Sequence, residues 1–115
     1  MIHNTTNSQD KIKYVYLIQS QEDGYYKIGV SKHPNKRIEQ LQTGNSSKLK
    51  VIEQYKSYSY LAHYIERTLQ RRFSHMRKEG EWFEMSINEE VNFLQDCQKI
   101  EETIINLKKN GNVFI

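Results

Sequence analysis

The sequence predicts a small α+β domain, a three-stranded antiparallel sheet flanked by helices in the order β-β-α-β-α-(short strand)-α. Three observations carry this. Two β-branched and aromatic runs, residues 13–19 and 25–30, stand on either side of Glu22-Asp23-Gly24, which has turn chemistry. Two later segments repeat apolar residues at three- and four-residue spacing over helical lengths. The whole chain has 115 residues, room for one compact domain.

Taken in order, residues 1–11 are polar and read as a flexible arm. The two runs that follow form a hairpin. Pro34 suits the first position of a helix, which runs to about residue 42. Thr43-Gly44-Asn45 ends it, with Gly44 free to take a left-handed cap. Residues 49–55 read as a third strand. Tyr58, Leu61, Ala62, Ile65, Leu69, Phe73 and Met76 form the stripe of a long helix over 58–76. Lys78-Glu79-Gly80 breaks it, and residues 81–85 form a short extended piece. Ser86, with Glu89 three residues on, makes a capping box that opens a final helix. Its stripe is Val91, Leu94, Cys97, Ile100, Ile104 and Leu107. The expected organisation is the arm, a domain over 12–85, and a C-terminal helix and tail over 86–115 packed on it.

Composition narrows the function classes. Hydrophobic residues at 37% and charged ones at 27% suit a soluble globular domain. No apolar run approaches the ~18–20 residues of a membrane span, so no membrane partner is expected. No signal-peptide pattern opens the chain. One cysteine, Cys97, rules out an internal disulfide framework and a cysteine-based zinc site. These features point to a cytoplasmic or nuclear protein. The net charge of +3 hides an asymmetry: residues 1–78 sum to +8 and residues 79–115 to −5. A basic region of that size attracts polyanions, so nucleic-acid contact is expected; a solvated surface of mixed charge is the plainer alternative.

Strand alternation sorts the hairpin. Val15 and Leu17 face one way with Tyr26, Ile28 and Val30; Tyr14 and Tyr16 face the other with Tyr25, Lys27 and Gly29. Each tyrosine taken singly reads as packing with a solvated hydroxyl. The set, with Lys27, reads equally as a polar site. Each helix adds one charge beside its apolar stripe. Arg37 lies ~40° from Leu41 on the helical wheel, and Glu66 lies ~80° from the centre of the long helix's stripe. Glu66 is the only acid between Glu53 and Glu79. Helical ion pairing accounts for it. So does a hard-metal site, since Mg²⁺ is often held by one or two carboxylates with phosphate oxygens and waters.

These residues resemble the GIY-YIG nuclease superfamily. Tyr14-Val15-Tyr16 is similar to its first motif, with Tyr in place of Gly, and Lys27-Ile28-Gly29 to its second, with Lys in place of Tyr. Arg37 follows Gly29 by eight residues, where the superfamily carries an arginine, and Glu66 falls where it carries a metal-binding glutamate. Tyr26-Lys27-Ile28-Gly29 and Gly80-Glu81-Trp82-Phe83 resemble its short phage-type and meiotic-gene-type branch. No single motif is specific; four in order, over residues 13–85, are.

The resemblance implies hydrolysis of DNA phosphodiesters with one Mg²⁺ or Mn²⁺ ion. Glu66 would hold the ion. Arg37 would grip the scissile phosphate, and Tyr14 would position the nucleophile or that phosphate. Tyr16 would help deprotonate water. A phenol's usual pKa near ~10 is too high for that, so Lys27 is expected beside it to stabilise the phenolate. From the charge count, DNA is expected along a basic side of Arg37, Arg67, Arg71 and neighbouring lysines, away from the final helix, with Arg72 also a DNA contact; the alternative makes Arg67 and Arg71 a solvated face paired with that helix. Two positions depart from the superfamily. Leu41 stands where it often has His, and Glu81 lies near where some members have Asn. Glu81 reads as a metal-supporting acid or a solvent-exposed one. With no separate targeting domain expected, specificity would be low or come from a partner protein or domain. A non-catalytic DNA-binding module on the same fold is the alternative function, and a protein-interaction domain working through the acidic last helix is a third.

Overall fold

The computed structural model describes residues 11–111. Residues 1–10 of the expected arm and 112–115 of the tail lie outside that range. Three strands, β1 (Ile12–Ser20), β2 (Tyr26–Ser31) and β3 (Leu49–Tyr58), form one antiparallel sheet in the order β2-β1-β3. The helices are α1 (Pro34–Thr43), α2 (Ser59–Arg72), α3 (Ile87–Val91) and α4 (Phe93–Lys109), with a 3-10 turn at Ser74–Met76. The α+β architecture matches the sequence reading.

The sheet buries both faces. Val15, Leu17, Tyr26 and Ile28 pack against Leu61, Ala62, Ile65 and Leu69 of α2 and Phe93, Cys97, Ile100 and Ile104 of α4. On the opposite face, Tyr16, Ile18 and Leu49 pack against Ile38 of α1. Alternation requires this split: neighbours on β1 point to opposite faces. Leu41 is half-buried against this second cluster. Among the described residues no helix is long and apolar enough to cross a membrane.

Several elements differ from expectation for physical reasons. Gly44 has φ −92°, so the helix does not end on a left-handed glycine. The side chain of Gln42 orders the connection instead. Its amide donates to the carbonyls of Asn45 (3.2 Å) and Ser47 (2.9 Å) and accepts from the Leu49 N–H (2.8 Å). Residues 81–85 form no continuous strand; Phe83 makes isolated bridges with Tyr26 and Arg77. The capping box of Ser86 and Glu89 is present, but the helix it opens is only α3, and the chain turns at Asn92. That break buries Phe93 with Cys97, Ile100 and Ile104, while Val91 is 73% and Leu94 38% exposed. A phenyl ring removes more apolar area from water than either of the side chains left outside. Tyr26 donates to the Glu90 carboxylate, which ties α3 to the edge strand. At the other end of the sheet, Glu101 of α4 accepts from Tyr55 (3.0 Å) and Ser57 on β3.

Candidate active site

The site starts from one steric fact. Tyr16 on β1 pairs directly with Gly29 on β2. A Cβ at position 29 would lie 2.2 Å from the Tyr16 hydroxyl oxygen, 2.3 Å from its Cζ and 2.9 Å from its Cε1. The ring therefore lies across the bare Cα of Gly29. This carries its hydroxyl over β2, the edge strand. Tyr16 is only 2% exposed and packs with Ile18, Ile38 and Leu49.

Charged groups from three further elements meet that hydroxyl. Arg37, exposed on α1, acts on it through its charge and donates to the Gln40 Oε1 at 3.5 Å. Glu66 approaches from α2. Gln70, one turn later on the same flank, donates to the Ile28 carbonyl at 3.2 Å and pins α2 to the edge strand. Glu81 comes from the loop after α2 and pairs with Lys27 at 3.5 Å. The Lys27 ammonium also sits 5.9 Å from the centre of the Trp82 ring.

The electrostatics follow. Burial holds the Tyr16 phenol above its usual range; the Arg37 guanidinium pulls the other way, and Glu66 and Glu81 add to the rise. Burial likewise holds the Glu66 carboxyl high, reinforced by Glu81 and opposed by Arg67 and Lys27. Tyr16, Lys27, Arg37, Glu66 and Glu81 thus share one electrostatic neighbourhood at the β2 edge. The expectation that Lys27 meets the phenol is corrected. Arg37 is the cation that acts on it, because α1 crosses the Tyr16 face, whereas Lys27 is engaged by Glu81 and Trp82.

The remaining residues lie elsewhere. Tyr14 shares the Tyr16 face and is half-buried, but lines a separate groove with Lys32, Lys36 and Gln54. Tyr25 precedes β2 and lines another cavity with Asp23 and Trp82. The Arg67 guanidinium lies 5.8 Å from the Tyr64 ring. Arg71 and Arg72 line a cleft between α2 and α4, and Arg72 is 3.9 Å from Asp96 of α4. Their expected place away from the final helix is therefore wrong. On a helix, residues 71 and 72 lie ~140° and ~240° around from Glu66, which turns them to the α4 side. Two contributors escaped sequence reasoning: Gly29 as the space for a ring, and Gln70 as the anchor of α2. The paired register gives the first away, but only once the strands are aligned.

The donor set suits a hard divalent cation. Among the described residues no three His, Cys, Asp or Glu side chains form a metal cage. Glu66 is instead a partly desolvated carboxylate repelled by a second one, and a cation there would relieve that repulsion. Mg²⁺ sites of this kind draw their other ligands from phosphate and water.

A family model described as the T5orf172 domain matches residues 13–104. The chain belongs to the T5orf172 domain family. No curated protein and no solved structure matches it. T5orf172 domains are nuclease-like and DNA-binding in kind. The part of the T5orf172 domain matched here runs from β1 through most of α4, so it includes every residue of the Tyr16 neighbourhood.

Proposed function

We propose that this T5orf172 domain is a metal-dependent DNA endonuclease of the GIY-YIG type that hydrolyses phosphodiester bonds. The observation that carries the reading is that Arg37 and Glu66 both act on the Tyr16 hydroxyl, whose ring lies across Gly29 on the edge strand. Arg37 presents a guanidinium fork to a phosphate beside the Tyr16 hydroxyl. Tyr16 enters as a hydroxyl that orients the phosphate or the attacking water. A phenol held above its usual range is a poor base at neutral pH. Glu66 is the ligand for one Mg²⁺ or Mn²⁺ ion, with Glu81 within reach to support it. Bound there, the ion would supply Lewis-acid stabilisation of the phosphate and the leaving oxygen. Lys27 keeps Glu81 in position.

Plasmid nicking tests this. Nicking is expected with Mg²⁺, and is lost in EDTA and in Glu66→Gln, while metal-free DNA binding persists in that variant. Wild-type nicking by Glu66→Gln at limiting Mg²⁺ would remove the metal role. A second reading, a non-catalytic DNA-binding module, draws on Leu41, which packs into the core where the superfamily often has His. It expects binding with no nicking under any metal.

A further inference from the structure

Beyond the Tyr16 neighbourhood, the Tyr16 face carries a groove of about 620 Å³ around the first turn of α1. Its walls include Tyr14, Lys32, His33, Lys36, Glu39 and Gln54. The volume falls within the ~300–1,000 Å³ of small-ligand sites. Tyr14 is two residues from Tyr16 on β1, one same-face step of about 7 Å. The same short helix therefore serves both places: Arg37 meets the Tyr16 hydroxyl, and its neighbour Lys36 lines the groove.

We infer that this groove holds an unpaired nucleotide of the DNA strand flanking the phosphate at Arg37, with its base stacked on Tyr14 and its phosphate beside Lys36. The chemistry of the lining selects that ligand. Tyr14 at the groove wall is a half-buried phenol, the type of side chain on which a base stacks without regard to sequence. The exposed Lys36 ammonium on the rim suits the phosphate, and His33 beside it offers a ring N–H. Gln54 supplies a neutral amide that already donates to Asn35 at 3.4 Å. A base can stack there only if unpaired, so the groove makes single-stranded or frayed DNA the preferred substrate at that position. The inference rests on the proposed function for the place of the phosphate, but not on cleavage.

The test is fluorescence anisotropy in EDTA with a labelled single strand of about ten thymidines, at several salt concentrations. Tyr14→Ala is expected to weaken binding about tenfold without changing the salt slope, because stacking carries no charge. Tyr14→Phe keeps the ring and should bind as wild type. Lys36→Glu should weaken binding and lower the magnitude of the log–log slope by at least ~0.7. Lys99→Glu, on the α2–α4 side, should change neither. Wild-type affinity in both Tyr14→Ala and Lys36→Glu overturns the groove, as does equal weakening by Lys99→Glu. If Tyr14→Ala fails to fold, Lys36→Glu decides, since that side chain is exposed. A protein that binds through the groove yet never nicks plasmid leaves this inference standing and removes the endonuclease. One that nicks but ignores the groove variants does the reverse.

Discussion

Replacing Gly29 with Ala should cost both stability and activity, through one clash. The added Cβ would stand 2.2 Å from the Tyr16 hydroxyl oxygen, against 3.4 Å for ordinary contact, so the ring tip must retreat by about 1 Å. Backbone strain plays no part, because Gly29 sits in regular strand pairing. The ring cannot swing out freely: it is nearly fully buried, with Ile38 of α1 packed against it. Overpacking of this kind costs ~1–3 kcal/mol. For a domain of this size, each kcal/mol lowers the melting temperature by ~4–8 °C. The same retreat pulls the hydroxyl from Arg37, and a ~1 Å misplacement in a catalytic constellation costs roughly 10²-fold in rate. Thermal unfolding by circular dichroism and plasmid nicking read the two effects. A double-mutant cycle isolates the cause: in a Tyr16→Leu background, Gly29→Ala should lose most of its cost, a coupling of ~1 kcal/mol or more. If Gly29→Ala melts and nicks like wild type, or costs the same with and without the Tyr16 ring, the account of the site's geometry is wrong.

Other outcomes follow from the same structure. Arg67→Ala should lower the magnitude of the salt slope for duplex binding by ~0.9, whereas Arg72→Ala, turned towards Asp96, should leave affinity and slope unchanged. Loss of that exposed pair should change stability by no more than ~1 kcal/mol. Glu101→Ala strands the hydroxyls of Tyr55 and Ser57 and should destabilise by ~1–3 kcal/mol, read as a lower denaturant midpoint. Cys97 is buried, and burial pushes its thiol up to about 12 from 9.0. The folded state keeps the proton that the unfolded chain releases first. Stability should therefore be unaffected below pH 9 and fall as pH rises from there towards 12. At pH 8, iodoacetamide should label Cys97 only after unfolding, and rapid labelling of the native protein would contradict the packing of α4.

The sequence alone settled what depends on near neighbours. Alternation on β1 and β2 separated the Tyr16 face from the Val15 face without any knowledge of what would cover either. The Leu61-Ile65-Leu69 spacing marked α2, and Ser86 with Glu89 marked a helix start, because a capping box is completed within four residues. The hairpin of β1 and β2 followed from a short turn and hydrophobic pattern, whereas the place of β3 beside β1 did not. Tertiary structure decided whatever depends on two distant segments arriving together. Phe93 displaced Val91 and Leu94 from the core because only the assembled α2 and sheet define which stripe fits, and both stripes satisfy helical spacing. Gln42 ended α1 through partners only three to seven residues on, but their path is set where β3 joins the sheet. Arg37 rather than Lys27 reached the Tyr16 phenol because α1 crosses that face, and Arg71 and Arg72 turned to α4 because α2 is held to β2 by Gln70. Residue type and period set which side chains can share a face; charge pairing and burial act through space, so the choice of partner waits for the fold.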